Sequence, residues 1–344
     1  MKRGMILGVA LMAALAACDK EDAGPPPKVE VKVKAVKVAY VTNGIDPFWD
    51  VAAAGAKAGA KEFNAVVEVL MPKDPEDQKR MVENLLAKGT EGIAISPISA
   101  ANQVGLLDEA AGRTNVITHD SDAPASKRLC FVGMDNYKAG RAAGKLVKEA
   151  IPDGGKVMIF VGRLEQLNAQ QRRQGVIDEV LGRPMQSLDS LKYDANDGEI
   201  KAGTYSILGT RTDGFDYPKA KANAEDAMAS IPDLACMVGL FAYNAPLCLE
   251  AIKGAGKVGK IKVVSFDEQD ATLQGIKDGA VHGTVSQQPF QYGRHSVRIL
   301  AALARKDRSV LPTKGFLEVE SRVVKKDNVD SFWEELKKLI AAGK

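Results

Sequence analysis

The residues best suited to chemistry stand just past short β-branched runs. Thr42-Asn43-Gly44-Ile45-Asp46-Pro47-Phe48-Trp49 follows residues 36–41 and places a carboxyl group and two consecutive aromatics on one loop. Ser96 follows 92–95, Asp120 follows 115–118, Asp267 follows 263–266 and Gln287 follows 281–286. A carboxylate accepts from two neighbouring hydroxyls, an amide both donates and accepts, and an aromatic face packs against C–H groups. Together these are the means of holding a neutral polyhydroxylated molecule. Each polar residue also has a plainer use as a helix cap, Asp46 above all, because Pro47 suits the first helical position after it. Capping alone would equally admit Ser or Thr at every such place, and of two adjacent aromatics at a helix start only one easily faces the core.

The parts needed to make or break bonds are missing from the sequence. There is no GxSxG elbow, no cysteine with an evident histidine partner and no short-range acid pair. His119 and Asp120 are adjacent, so on a strand their side chains point to opposite faces. Three scattered histidines, with no CxxC or HExxH, imply neither a metal site nor a cofactor. The run Gly254-Ala255-Gly256-Lys257-Val258-Gly259-Lys260 matches both GxGxxG and GxxxxGK. Its context is inverted, with a helix-compatible stretch (245–253) before and a strand-like one (261–264) after, whereas a phosphate loop follows a strand and opens a helix. Ile261 also stands where such a loop needs Ser or Thr. A glycine-rich helix stop is the better reading, and the chain is not expected to be an enzyme.

The elements that must position these residues alternate regularly. Strand-like runs at 36–41, 66–71, 92–95 and 115–118 are separated by helical segments such as 48–63 and 75–87. A second series has strands near 156–161, 204–208, 236–240, 261–264 and 281–285. Such alternation predicts βαβ units and parallel sheets covered on both faces, and about 310 residues exceed what one core usually serves. The expected fold class is α/β, with two doubly wound parallel-sheet lobes, in which ligands bind beyond the carboxyl ends of the strands.

The N-terminus bears on location. Lys2 and Arg3, an apolar run from Met5 to Ala17, and Leu15-Ala16-Ala17-Cys18 read as a lipoprotein signal (1–17) cut before Cys18, whose thiol carries the lipid. Residues 18–34, with Pro25-Pro26-Pro27, read as a tether holding the body off a membrane. The expected location is the periplasm, membrane-anchored and outside the cytoplasm. Cys130, Cys236 and Cys248 remain; the last two lie in apolar stretches and read as small hydrophobes, with a bridge between them as the alternative. The 47 Lys and Arg nearly balance the 44 Asp and Glu. That balance argues against a nucleic-acid partner, which demands a basic face to neutralise phosphates.

From about Val36 to the C-terminus the chain resembles the type I, ribose-type periplasmic sugar-binding proteins that serve ABC importers. The resemblance is carried by Asp46-Pro47-Phe48-Trp49, Val116-Ile117-Thr118-His119-Asp120, Gly133-Met134-Asp135-Asn136 with Gly140, Gln171-Arg172-Arg173-Gln174-Gly175, Val264-Ser265-Phe266-Asp267, and Gly283-Thr284-Val285-Ser286-Gln287-Gln288-Pro289. It implies a three-segment hinge at Met134-Asp135, Gln287-Gln288 and Val319-Glu320. It also implies an N-terminal lobe of 35–134 plus 288–319 and a C-terminal lobe of 135–287 plus 320–344. By the same resemblance Phe48 and Trp49 stack on the ligand, Asp46 is a loop polar residue, Asp120 and Asp267 are the acids of the two lobes, and Gln287 is a hinge-side amide. Phe215 matches an aromatic of the second lobe, or else is a staple on the following helix.

Three positions depart from the ribose pattern. Gln170 replaces an arginine, with Arg172 two residues on, either supporting the site from behind or facing solvent. Ser121 replaces another arginine, and Asp120-Ser121-Asp122 is also similar to relatives that bind autoinducer-2. Phe241 replaces an asparagine, with Asn244 nearby. The expected partners are a monosaccharide, an ABC permease and the membrane holding the Cys18 lipid, with the protein a monomer. The second reading is a sensory protein, binding sugar or autoinducer-2 and reporting to a membrane receptor. The missing acid pair speaks against a glycan hydrolase. The export signal and the absence of a basic helix-turn-helix before Val36 remove a repressor.

Overall fold

The computed structural model describes residues 34–343; the signal and lipidation readings, and the tether up to residue 33, lie outside them. The first half builds β1 (Val36–Val41), α1 (Pro47–Glu62), β2 (Ala65–Leu70), α2 (Pro75–Ala87), β3 (Gly92–Ile95), α3 (Val104–Ala111), β4 (Asn115–His119) and β5 (Phe131–Gly133). Next come α4 (Asn136–Ala150), β6 (Gly155–Val161), α5 (Leu167–Val180), β7 (Ile200–Ala202), β8 (Tyr205–Thr212), α6 (Tyr217–Ser230) and β9 (Leu234–Gly239). The chain continues through α7 (Asn244–Gly254), β10 (Lys262–Phe266), α8 (Asp270–Lys277), β11 (Gly283–Ser286), α9 (Pro289–Ala304), β12 (Phe316–Glu318), β13 (Arg322–Val324) and α10 (Val329–Ala342).

One sheet has the order β12-β5-β4-β3-β1-β2, the other β13-β11-β10-β9-β6-β8-β7. Without β12 in the first sheet, and without the antiparallel edge strands β7 and β13 in the second, both follow the doubly wound order 2-1-3-4-5, so the second lobe repeats the first. Apolar clusters cover both faces of each sheet, around Tyr40 and Ile117 and around Ile93 and Leu107 in the first, and around Val157 and Val238 and around Met237 and Val263 in the second. The chain passes between sheets after β5, after β11 and between β12 and β13, which makes a three-segment hinge. Gln288, left-handed at φ 59°, sends its side-chain amide to the Glu320 carbonyl at 2.7 Å and ties the second crossing to the third.

The sheets are not wholly parallel: β7 and β13 run antiparallel at the two edges of the second. With β5 and β12 they are only three residues long, too short to show a period of two in the sequence. β8 extends to Thr212 because its register with β6 shifts at a bulge and then resumes, and Gly209, with φ 114°, sits in the extra turn of chain. The glycine-rich run is a turn between α7 and β10, as its inverted context requires. Cys130, Cys236 and Cys248 are buried free thiols, and burial raises the first to about 11 and the second to about 12.

One glycine-mediated helix pair locks each lobe. In the first, α1 and α9 meet through glycines: a Cβ on Gly55 would stand 1.9 Å from the Phe290 carbonyl oxygen, and one on Gly293 2.0 Å from that of Ala52. In the second, a Cβ on Gly140 of α4 would stand 2.1 Å from the Arg172 carbonyl oxygen of α5, and one on Gly175 2.2 Å from that of Tyr137. No side chain can yield there, because the obstacle is backbone. Gly140→Ala is therefore expected to lower stability by about 1–3 kcal/mol in chemical denaturation. Gly105→Ala, on α3 with open space around it, should stabilise by ~0.5 kcal/mol and serves as the control.

Candidate functional site

The strand ends of the two sheets face each other across a cleft of at most about 350 Å³, lined by Asn43, Asp46, Phe48, Trp49, Asp120, Gln166, Asn168, Arg172, Phe215, Phe241, Ala242, Tyr243, Asp267 and Gln287. That size suits one small molecule rather than a chain of units.

Asp120 and Asp267 occupy equivalent places, each just past the fourth parallel strand of its lobe. Both are left-handed, at φ 57° and 67°, and both backbone amides donate to the neighbouring strand, to Val132 at 3.1 Å and Val285 at 2.9 Å. Aspartate tolerates this region better than most residues, and the turn swings each carboxylate out of the sheet into the cleft. One Asp120 oxygen accepts from Ser96 Oγ at 3.0 Å, Asn43 Nδ2 at 3.2 Å and Asn168 Nδ2 at 3.3 Å. The other lies 3.7 Å from an Arg172 nitrogen. Burial pushes the Asp120 carboxyl up from its ordinary value, against the pull of Arg172 and these donors.

Arg172 is 1% exposed and forms the floor of the cleft. It donates to Asn136 Oδ1 (2.9 Å), the Leu240 carbonyl (3.1 Å) and Gln287 Oε1 (2.6 Å), with its guanidinium carbon 5.0 Å from the Phe266 ring centre. Of the two places open to it from sequence, the structure gives it the cleft and not solvent. Gln170 turns away and donates to the Leu164 carbonyl at 2.6 Å. The face of α5 that meets the cleft is the i, i+4 pair Asn168 and Arg172, and that spacing is the signal by which Asn168 could have been found.

Aromatic walls flank the floor. Phe48 meets Trp49 edge-on at 4.8 Å, with Trp49 3% exposed against the first core, while Phe215 stacks on Phe241 at 5.6 Å across from them. Asp213 holds the second wall: it accepts from the Tyr243 hydroxyl, from the Phe215 amide at 2.9 Å and from Asn244 Nδ2 at 2.9 Å. Asn244 and Ser96 therefore stand behind the cleft, fixing Asp213 and Asp120, and neither lines it. Asn43, Gln166, Asn168 and Tyr243 line it without having been expected there. Asp46 caps α1 by accepting from the Phe48 amide at 2.8 Å. Asp122 is spent on Arg128, at 2.6 Å, and on Thr118. His119 is buried, stacked 4.0 Å from Tyr40 with Nε2 donating to the Val41 carbonyl, and burial lowers it to about 3, so it stays neutral and structural.

Two buried groups in the cleft have no protein partner among the described residues: Gln166 Nε2, a donor, and Asp267 Oδ1, an acceptor. An unmade hydrogen bond at such a group costs about 1–3 kcal/mol, which a ligand hydroxyl would recover.

The family model described as "periplasmic binding protein domain" matches residues 36–308. The chain belongs to this family. A ribose import binding protein of Haemophilus influenzae is 27% identical over 263 residues, 74% of this chain and 81% of that protein. A D-ribose/D-allose-binding protein of Pseudomonas aeruginosa is 26% identical, over 68% of this chain and 70% of its own. Among solved structures, a Burkholderia graminis ABC transporter solute-binding protein in complex with D-arabinose has the same fold, with a TM-score of 0.77 at 24% identity over 87% of this chain and 98% of that one. The names of these relatives are those of sugar-binding and transporter solute-binding proteins.

Asp267 is raised to about 7, chiefly by burial, and its neighbour Glu268 to about 8, by burial and by the Asp267 charge. A folded carboxyl above its unfolded value stabilises fully below about pH 4 and loses that contribution as pH rises through the folded value. The unliganded protein should therefore lose thermal stability between about pH 5 and 8, and the Asp267→Asn/Glu268→Gln double variant should show a flatter melting profile over that window.

Proposed function

We propose that this protein is a lipid-anchored binding protein that captures one monosaccharide between its lobes and delivers it to an ABC permease. The observation that carries the reading is the cleft's unpartnered donor and acceptor, Gln166 Nε2 and Asp267 Oδ1, set between two aromatic walls. Hydroxyls in and out of the ring plane would satisfy the polar groups while C–H faces pack on Phe48, Trp49, Phe215 and Phe241. Asp120 adds an acceptor already oriented by three donors, and Arg172 balances its charge. The names of the relatives, for ribose and allose, support a pentose or hexose of this kind. Binding to groups of both lobes stabilises the closed state over the open one, and that difference is the signal a permease would read. Tethering through Cys18 would keep the protein beside the permease.

A thermal-shift screen against pentoses, hexoses, deoxysugars, polyols and autoinducer-2 is expected to raise the midpoint by several degrees for one sugar, because a native-state ligand stabilises by mass action. No shift at millimolar sugar rejects the reading. With that sugar, Asp120→Ala should lose about 2–4 kcal/mol of binding free energy in calorimetry, since the change removes a charged acceptor. Unchanged affinity would remove Asp120 from the ligand's contacts. Cys18→Ser should move the protein from the membrane fraction to the soluble one.

A further inference from the structure

The far lip of the cleft carries a contact that capture does not require. Tyr217, the first residue of α6 in the second lobe, donates its hydroxyl to Asp46 at the start of α1 in the first, at 2.5 Å. Asp46 thus spends one oxygen on the helix cap and the other on a residue of the opposite lobe. Its expected place as a ligand group is filled by protein.

Topology makes the contact telling. The crossing strands β5 and β12 lie at one edge of the first sheet, and β11 and β13 at the matching edge of the second. Asp46 follows β1 and Tyr217 follows β8, both toward the opposite edges. The pair therefore stands far from the hinge, where a small rotation gives the largest separation, and a hydrogen bond fails once its partners part by about 1 Å. Both groups are held in advance: the Tyr217 ring stacks on Tyr243 at 4.7 Å, Tyr243 is anchored to Asp213, and Asp46 is pinned by the Phe48 amide. Burial and the Asp46 carboxylate push the Tyr217 hydroxyl well above the usual phenol range, so it remains a donor at any working pH.

We propose that Tyr217 and Asp46 form a clasp across the lip of the cleft, which favours the closed form and sets how long a captured ligand stays. The kinetic half rests on the reading of the cleft as a sugar site; the conformational half does not. Because Tyr217 is 39% exposed, water competes for the bond, and the expected effect is on the order of fivefold. Tyr217→Phe keeps the stacked ring, and Asp46→Asn keeps an oxygen for the helix cap.

The first test needs no ligand. With one spin label per lobe on the whole protein, Tyr217→Phe and Asp46→Asn should each shift the distance distribution toward longer separations. The second uses stopped-flow fluorescence with D-ribose, D-allose and D-arabinose as probes. Each single variant should speed dissociation about fivefold with association little changed, and the double variant should add nothing beyond either. Unaltered distances in both variants, or strictly additive rates, would overturn the clasp. If no probe binds the parent protein, the sugar reading fails for these ligands, while the label distances still decide the clasp.

Discussion

A guanidinium buried under the junction of two lobes must be neutralised and fully hydrogen-bonded, and the arrangement around Arg172 follows from that demand. Its donors are taken by Asn136 beside the first crossing, by Gln287 beside the second and by the carbonyl of Leu240 at the end of β9, while Asp120 supplies negative charge from the other lobe. One side chain thus reads the positions of three strand ends and two hinge segments. The same demand explains why α5 approaches α4 through glycine: the Arg172 backbone itself is the surface against which Gly140 packs. A methyl group at that point would move the charge as well as the helix.

Much of the fold was legible because its long elements are strongly periodic. The runs at 36–41 and 92–95 and the helix at 75–87 were read to the residue, since each is bounded by a polar cap, a turn or a glycine. The three-residue strands were not, because pairing to a neighbour and not any local preference makes Phe316–Glu318 or Arg322–Val324 extended. The order of the strands likewise depends on contacts no local pattern encodes. Both sheets nevertheless obey one winding rule, and that rule brings the expected polar residues to one place.

The site was legible where a residue type at a strand end has few other uses and obscure where geometry decides. Asp120 and Asp267 could be named from their positions. What sequence could not show is that a left-handed backbone turns both carboxylates inward, or that Ser96 and Asn244 spend their polar atoms on neighbouring acids. Asn168 escaped notice because its helix has a weak polar-apolar pattern: α5 is buried almost all round, with Arg172, Arg173, Gln174 and Asp178 enclosed beside its apolar residues. Charge inside a helix packing surface reads in one dimension as charge in solvent.

The glycine contacts within each lobe have a mechanical meaning. Where backbone touches backbone there are no flexible side chains to absorb displacement, so each lobe moves as a solid body and deformation is confined to the three connecting segments. The outer surface of the shut protein is then nearly independent of what lies inside it. Molecules differing in a hydroxyl or a ring carbon would all be presented to the exterior as the same shape, so discrimination among them has to be completed within the cleft, before the two bodies come together.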